Sequence, residues 1–507
     1  MPLKTRREFF GVAAGGLTAA FAQSPTSSQT TKAGFSEADI TPEIGMEQPG
    51  GYSKVFHKSL HDPCNVRVAV VDDGRKRVAL VGLDALMVPR HLVLAVRKEI
   101  QSRCGLAPES VLIGTSHSHS SGPIGMVQPG EYDDASPLVR KLAYEQSSCA
   151  DPRYLQTVHR QIVAAVCEAD RSRVEAQLSV GRGEENRAAF NRRFRMKNGR
   201  TFTHPGQGNP DIVEPAGPID PEVGVIGSWD SRGQLTGCIV NYACHATTSP
   251  GGISANWIYY MEKTIRGTFG DRVPVVFLQG ACGDITQVDN QNPYQQPGAE
   301  EWARLVGARV GAEAIKVLLS SPRGSLTPVD YAAKELLIKR RVPSPERVAR
   351  CLAMVQKDPN EVGVTDWVFA KEIVLLDASL KKQPAIEVEV QALQLGPAIF
   401  ITNPAELFVE FGISLKQQSP FPFTFPVELA NGCVGYVPTE EALSPTGGGY
   451  ETRLTSYSNL EPTAGRQMVE AGLQLARSMK PGRLPEPSKA KPFREPWSYG
   501  NVPAELQ

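Results

Sequence analysis

Short apolar runs that end in a polar residue alternate with amphipathic segments along most of this chain. Apolar runs of four to eight residues bounded by turn signals predict buried strands, whereas a 3.6-residue apolar period predicts helices. Their alternation predicts an α/β fold in which mixed β-sheets are flanked by helices. With 507 residues, 41% of them hydrophobic, the chain can bury a core of the required size.

The most specific local predictions are one hairpin and one helix start. Two apolar runs flank Asp73-Gly74, which predicts a hairpin turn there. A helix is expected after Asp151, because Asp is a good N-cap and Pro152 suits the first helical turn. The Gly- and Pro-rich stretch from Phe202 to Asp220 is expected to be a long loop. The remaining predictions are strands over 223–230, 238–244, 273–279, 386–395 and 398–402, and helices over 91–103, 299–319, 344–356 and 463–479.

The N-terminus has the composition of an export signal. Arg6 and Arg7 precede a short apolar segment that ends Ala20-Phe21-Ala22, which predicts a twin-arginine signal over residues 1–22. The alternative is an ordinary basic start to a buried helix. The apolar segment is too short for a permanent membrane anchor, so a bacterial protein that is periplasmic or secreted is expected. Behind the signal we expect a linker over 23–32, one domain over 33–480 and a Pro-rich tail over 481–507.

Charge and cysteine usage narrow the class of protein. Lys+Arg and Asp+Glu both number 54, so there is no basic excess to bind nucleic acid, and no nucleic-acid partner is expected. The 9 cysteines form no C-x-x-C motif, and an odd number leaves at least one without an intramolecular partner. Cys238 and Cys244 lie in an apolar stretch and are expected in the core.

Residues that can bind metal follow several of the predicted strands. His117 and His119 follow "SVLIG", His245 ends "GCIVNYACH" and Glu406 follows "AIFITNP". In open α/β sheets, ligands bind beyond the carboxyl ends of the strands. His and Glu are zinc ligands, and a catalytic zinc keeps one coordination position open. The pattern therefore predicts a metal site at the carboxyl ends of strands.

Each of these residues also has a purely structural interpretation. A single histidine at a strand end is more often hydrogen-bonded scaffold than metal ligand, and this interpretation applies to His245. Glu406 in "PAELF" also fits the first turn of a helix, where a carboxylate favours the dipole. Tyr436 and Tyr450 fit ordinary packing aromatics.

A series of short motifs, in consistent order over roughly residues 33–479, resembles the catalytic domain of the neutral (non-lysosomal) ceramidases and their shorter bacterial relatives. "ADITP" is followed by a Gly-Tyr loop at Tyr52, and "HDP" precedes the hairpin. The other motifs are "HSHSSGP", Asn191-Arg192, "NYACHATT", Gly283-Asp284, "NPAEL", and the tyrosines 436 and 450.

The resemblance implies a zinc-dependent hydrolase that cleaves an N-acyl amide bond, as in ceramide. It implies zinc ligation by His117, His245, Glu406 and Tyr436. The residues it places along the substrate amide are His119, Arg192 and Tyr450, with His119 as the acid that protonates the leaving amine. Asp284 is expected to orient a histidine rather than to bind zinc.

Three features depart from the family pattern. Gly280 stands where the family has a serine, Ser121 is an extra residue in the histidine loop, and the family's C-terminal immunoglobulin-like domain has no counterpart after Met479. The polar loop from Phe202 to Pro221 is expected to supply no apolar ring for a long acyl chain. The alternatives are a zinc esterase or deacylase acting on a non-sphingolipid compound, and a non-catalytic binding protein on the same scaffold.

Overall fold

The computed structural model describes residues 31–487, 489–492, 495–500 and 502–507. The predicted export signal and residues 23–30 of the predicted linker lie outside the described residues. The strands are β1 (Lys32–Asp39), β2 (Glu47–Gln48), β3 (Val55–Phe56), β4 (Asn65–Asp72), β5 (Arg77–Leu83), β6 (Val111–Thr115), β7 (Val174–Glu175), β8 (Gln177–Glu184), β9 (Phe190–Asn191), β10 (Arg193–Met196), β11 (Thr201–Thr203), β12 (Ile212–Pro215), β13 (Glu222–Trp229), β14 (Leu235–Tyr242), β15 (Val275–Gln279), β16 (Ile285–Thr286), β17 (Arg323–Gly324), β18 (Val329–Lys339), β19 (Ala385–Leu395), β20 (Ala398–Thr402), β21 (Glu406–Leu407), β22 (Phe423–Val427) and β23 (Tyr436–Val437). The α-helices are α1 (Arg90–Cys104), α2 (Pro137–Tyr144), α3 (Pro152–Arg171), α4 (Trp257–Phe269), α5 (Ala299–Ser320), α6 (Pro345–Met354), α7 (Pro359–Val362), α8 (Val364–Leu380), α9 (Val409–Gln418) and α10 (Ala464–Ser478).

Three mixed sheets form the centre of the molecule. Their strand orders are β6-β5-β4-β1-β7, β15-β14-β13-β8-β17 and β18-β19-β20-β22. Each is antiparallel apart from one parallel pair at an edge, namely β5 with β6, β14 with β15, and β20 with β22. The two strands of a parallel pair run in the same direction, so their carboxyl ends lie next to each other at one side of each sheet.

The three sheets pack against one another around a shared apolar core. Leu112 of the first sheet, Leu278 of the second and Phe425 of the third belong to this cluster of buried side chains. The approach is close at Gly82, where an added Cβ would lie 2.4 Å from the carbonyl oxygen of Phe277. Glycine in β5 therefore permits the backbone contact that brings the first two parallel pairs side by side.

Helices cover the outer faces of the sheets. Buried apolar residues of α1 and α3 pack on the first sheet, those of α4 and α5 on the second, and those of α10 on the third. A separate cluster joins α2, α6 and α8. The predicted α/β fold with flanking helices is confirmed. None of the helices in the described part of the chain is both long and apolar enough to cross a bilayer.

Most of the locally encoded elements lie where the sequence predicts them. β4 and β5 form the hairpin, with Asp72 opposite Arg77 and Gly74 at a φ of 83° in the turn. The side chain of Asp151 caps α3 by accepting hydrogen bonds from the amides of Arg153 and Tyr154. Cys238 and Cys244 are buried, as expected.

The prediction of one long loop from Phe202 to Asp220 was wrong. The stretch contains the end of β11 and all of β12, which pair with the two edges of β10. Both strands are short, and β12 contains no buried residue, so neither shows the run of alternating buried and exposed residues that sequence reasoning relies on.

Candidate metal centre and active site

His117 lies directly beyond β6, in a turn held by backbone hydrogen bonds. The amides of Ser116 and Ser118 donate to the carbonyls of Leu83 and Ala85. The buried ring of His117 donates from Nδ1 to the carbonyl oxygen of Leu86, at 2.9 Å. That bond fixes the tautomer, so the lone pair on Nε2 faces the interior.

His245 lies beyond β14 and is held in the same way. Its Nδ1 is 2.7 Å from the carbonyl oxygen of Cys282, and the indole of Trp257 donates to its backbone carbonyl. Burial lowers the pKa of His245 to about 3, and the charge of Arg192 adds to that effect. The Nε2 atoms of His117 and His245 are 3.2 Å apart. With Nδ1 of each ring bonded to a carbonyl oxygen, the neutral form of each imidazole has its lone pair on Nε2, and these two atoms face each other across that gap.

Glu406 lies beside His117 and His245, and these three residues are called the donor group below. Its Oε2 is 3.3 Å from Nε2 of His117 and 3.1 Å from Nε2 of His245, yet it accepts no hydrogen bond. Burial raises the pKa of Glu406, but the two histidines more than offset this and hold it well below its ordinary value. A buried carboxylate needs a positive charge beside it, which either a protonated imidazole or a metal ion bound between the three atoms would supply.

The spacing of these donor atoms fits a small divalent metal. Nitrogen and oxygen ligands of tetrahedral zinc lie about 2.0–2.2 Å from the metal, which puts them about 3.3–3.6 Å from one another. The three distances among His117, His245 and Glu406 are 3.1, 3.2 and 3.3 Å. The donor set, its burial and its unpaired oxygen therefore suit zinc.

His119 lies on the solvent-facing side of the donor group. Its Nε2 is 3.2 Å from Nε2 of His117, and the ligand nitrogens of the three histidines lie within 4.8 Å of one another. Unlike His117 and His245, its side chain is partly exposed. Gln48 of β2 donates to its carbonyl, and a Cβ added to Gly50 would collide with its ring. His119 thus lies between the donor group and the loop that joins β2 to β3.

The pairing of two short strands places Tyr436 beside Glu406. β21 and β23 are parallel, and Glu406 lies opposite Tyr436 in their register. The phenol of Tyr436 is within hydrogen-bonding distance of Tyr450 and is 3.2 Å from Nη2 of Arg192. Burial, and then the charge of Glu406, raise the pKa of Tyr436 well above its ordinary value. The Glu406 side chain belongs to a strand, not to the first turn of α9, which begins at Val409.

Arg192 is a buried guanidinium that orders the two tyrosines. Its Nε donates to Glu451 at 2.7 Å, and its Nη2 donates to the carbonyl of Gly283 at 2.7 Å. The same Nη2 is 3.4 Å from the phenol of Tyr450. The structure thus brings all seven predicted site residues into one contiguous cluster: His117, His119, Arg192, His245, Glu406, Tyr436 and Tyr450.

Asp284 does not orient a histidine through any of its described hydrogen bonds. Its carboxylate accepts from the amide of Val409 at 2.9 Å and from Nδ2 of Asn191 at 2.8 Å. Its carbonyl accepts from the amide of Arg192. The histidines are oriented by backbone carbonyls instead, and Asp284 positions Arg192.

Sequence reasoning missed Glu428, which links two of the loops that form the site. Its Oε2 accepts from the amides of Cys282 and Leu407, both at 2.9 Å, and its Oε1 accepts from the thiol of Cys282. Burial raises its pKa to about 8. Glu428 directly follows β22, so the strand-end rule that selected the histidines also applies to it.

The fold and this cluster define a class: an α/β protein with a buried His/Glu donor group at the carboxyl ends of parallel strands. No family model matches the chain. Over 302 residues the chain is 24% identical to the neutral ceramidase of Pseudomonas aeruginosa, which covers 56% of this chain and 41% of that protein. The chain therefore spans less than half the length of this curated relative.

Two solved structures share the fold over most of the chain. A ceramidase complexed with C2 superposes with a TM-score of 0.68 at 19% identity, covering 92% of this chain and 77% of that one. Neutral ceramidase from Pseudomonas aeruginosa gives a TM-score of 0.66 at 19% identity, covering 90% and 76%. These findings confirm the resemblance of this chain to the neutral ceramidase family.

Proposed function

We propose that this protein is a zinc-dependent hydrolase that cleaves an N-acyl amide bond, with ceramide or a related N-acyl lipid as substrate. The observation that carries the proposal is the donor group itself. Three potential ligand atoms, on His117, His245 and Glu406, lie 3.1–3.3 Å apart in a buried position. The similarity to neutral ceramidase supports an amide as the bond that is cleaved.

In this proposal His117, His245 and Glu406 hold the zinc, and Tyr436 lies beside Glu406 as a fourth candidate ligand. When bound, zinc supplies Lewis-acid polarisation of the substrate carbonyl and of water. The carbonyls of Leu86 and Cys282 keep the two histidines in the tautomer that can bind metal.

Arg192 and Tyr450 are proposed to stabilise the negative charge that develops on the amide oxygen. Burial raises the pKa of Tyr450 to about 12, so its phenol stays protonated at neutral pH and can donate. Arg192 is buried and fixed by Glu451, so its remaining donor capacity is preorganised. One such donor contributes about 3–4 kcal/mol of transition-state stabilisation.

His119 is proposed to take a proton from the attacking water and to pass it to the leaving amine, because burial and the charges of His117 and His245 lower its pKa well below the ordinary value and leave the free imidazole neutral. It is the partly exposed histidine of the three, so it can reach a substrate that enters from solvent. Its neighbour Gly50, at a φ of +106°, leaves room for the ring where a side chain would collide with it. General acid catalysis of this kind contributes about 10²–10⁴ in rate.

The hairpin of β2 and β3 favours a substrate with an apolar chain. Gln48 of this hairpin contacts His119, while Val55 and Phe56 on its partner strand are 53% and 52% exposed. Ile44, 60% exposed, lines the same surface cleft as Phe56. Exposed apolar side chains beside a site are typical of surfaces that bind lipids or other apolar groups. We propose that they contribute apolar contact surface for such a chain.

The proposed site of action is outside the cytoplasm, in the periplasm or the medium. This part of the proposal depends on the twin-arginine motif at Arg6 and Arg7. A lipid or small-molecule amide is the proposed partner, with no nucleic acid.

Metal analysis combined with product identification tests the proposal. Purified protein is expected to carry about one zinc per chain and to release fatty acid and amine from N-acyl substrates, identified by mass spectrometry. Glu406→Gln keeps the size of the side chain but removes the charge, so turnover should fall at least about 100-fold. Glu440→Gln, at an exposed position, is the matched control and should retain full turnover.

A substrate panel separates ceramide from the alternatives. Long-chain ceramide in detergent is compared with short soluble N-acyl amides and with O-acyl esters at equal concentration. Preference for esters or for short amides would favour the esterase or deacylase alternative. Bound zinc with no turnover of any substrate would favour a binding protein.

A further inference from the structure

Two cysteines far from the metal centre lie in contact where α1 and α3 pack together. Cys104 is the last residue of α1, and Cys167 lies in the C-terminal part of α3. Their Sγ atoms are 3.0 Å apart, although the residues are 63 positions apart in sequence. A disulfide has an S–S distance of about 2.05 Å, so closing the bond requires a movement of only about 1 Å.

The surrounding contacts hold the two thiols at this spacing. Arg77 donates to both carboxylate oxygens of Asp170, three residues beyond Cys167, at 2.9 Å. Its other terminal nitrogen donates to the carbonyls of Cys104 and Gly105 at 3.3 Å. One guanidinium therefore fastens the end of α1 to α3 directly beside the sulfur atoms.

We propose that Cys104 and Cys167 form a disulfide that links α1 to α3 when the folded protein meets a disulfide oxidant. This proposal does not depend on the proposed hydrolase function. The oxidant, a low-molecular-weight disulfide such as oxidised glutathione, is reduced to two thiols. Both cysteine S–H bonds are broken and one S–S bond forms, so two electrons and two protons pass to the oxidant.

Both thiols are accessible enough to react. Cys104 and Cys167 are partly exposed, whereas Cys64, Cys238, Cys244, Cys282 and Cys351 are buried. Burial, and then the hydrogen bond with Cys167, raise the pKa of Cys104 to about 12. Either thiol can attack the oxidant first, and the other then displaces the leaving thiol to close the bond.

The loop that the bond would close contains part of the metal centre. Residues 105–166 include β6, His117 and His119. Cross-linking a long loop restricts the unfolded chain and so raises stability. Disulfides persist in oxidising compartments, so the bond would act on an exported enzyme without touching the catalytic residues.

Peptide mapping tests the bond directly. The purified full-length protein is incubated with oxidised glutathione, denatured, alkylated and digested. We expect a linked peptide that contains Cys104 and Cys167, with two of the 9 cysteines protected from alkylation. The bond should raise Tm by about 2–5 °C relative to protein reduced with a phosphine.

Variants separate the bond from other effects of the reductant. The Tm of the double variant Cys104→Ser/Cys167→Ser should not respond to the phosphine, whereas the buried-cysteine control Cys351→Ala should respond like the natural protein. The proposal is overturned if the map of oxidised protein shows both peptides alkylated, or links either cysteine to a different partner. The map is read on the unsubstituted chain, so poor folding of a variant leaves the result intact.

Discussion

The backbone of His117 is strained at the point where the donor group forms. Its φ of 59° lies in the left-handed region, which costs a non-glycine residue about 1–3 kcal/mol. The hydrogen bond from its ring to Leu86, together with the flanking amide bonds of Ser116 and Ser118, holds the residue in that conformation. This geometry turns the imidazole towards His245 rather than along the direction of β6.

Substitution of each histidine should separate metal binding from chemistry. His117→Ala and His245→Ala each remove a nitrogen that faces Glu406, so bound zinc should fall from about one equivalent to near zero, with loss of activity. His119→Ala should retain zinc while kcat/KM falls about 10²–10⁴-fold. Zinc content by mass spectrometry and amide turnover are measured on the same preparations.

The matched control for folding is the circular dichroism spectrum of each variant. Full zinc occupancy in His117→Ala or His245→Ala would remove that residue from the ligand set. Loss of zinc in His119→Ala would make it a third nitrogen ligand, in agreement with its 3.2 Å distance from His117.

At the level of secondary-structure elements, Glu428 connects the segment that orients one candidate ligand, His245, to the strand that carries another, Glu406. It follows β22 and accepts from Cys282, whose carbonyl orients His245, and from Leu407, the residue after Glu406. The segment after β15 and strand β21 are therefore fixed to each other through one side chain. Its neutral form is favoured by burial, which raises its pKa to about 8.

Truncation of Glu428 should weaken zinc binding from a distance. Glu428→Ala leaves two buried amides without acceptors, which should cost about 2–5 kcal/mol of unfolding free energy and about 10–100-fold in zinc affinity. Glu428→Gln keeps the size and one acceptor oxygen, so it should lose less of both. Urea unfolding and zinc titration measure the two effects. Equal zinc affinity in Glu428→Ala and the natural protein would limit this residue to a role in stability.

At the scale of the whole molecule, the site depends on the carboxyl ends of three parallel strand pairs, one from each sheet, lying close together. β6 leads to His117, β14 to His245, and β20 to Glu406 four residues later. The segments that carry the three candidate ligands therefore follow strands of three different sheets. Zinc bound between them would join all three sheets, so its effect should reach global stability.

Metal removal should lower the thermal stability of the entire domain. Any ligand that binds only the folded state stabilises it, by about 2.7 kcal/mol when its free concentration is 100 times Kd. Scanning calorimetry should show a lower Tm after dialysis against a chelator and recovery after zinc is restored. In His117→Ala, the same treatment should leave Tm unchanged. If the natural protein had the same Tm with and without zinc, a metal shared among the three sheets would be contradicted.

Export should depend on the arginine pair. Replacement of both Arg6 and Arg7 by lysine preserves the charge but removes the feature that the twin-arginine route recognises. The precursor should then remain in the cytoplasm, as measured by cell fractionation and immunoblotting. A single conservative change at Lys4→Arg is the control and should leave export intact. Unchanged export of the double variant would indicate the general secretory route.

The sequence by itself determined the elements whose signals are local. The hairpin at Asp73-Gly74, the cap at Asp151 and the long amphipathic helices follow from turn chemistry and apolar period over a few residues. The same signals identified polar residues at strand ends, and the motif order supplied the resemblance to neutral ceramidases. Sequence reasoning did not predict exposed short strands such as β12, because they lack a buried face.

Only the tertiary structure decided which strand ends meet. His117 and His245 are 128 residues apart, yet their Nε2 atoms are 3.2 Å apart because two different sheets pack against each other. Glu406 joins a strand rather than a helix because it pairs with Tyr436. Which carbonyls orient the histidines, and which amides Glu428 holds, depend on partners far away in sequence. Local periodicity reports which side of an element is buried; it contains no information about what that side is buried against.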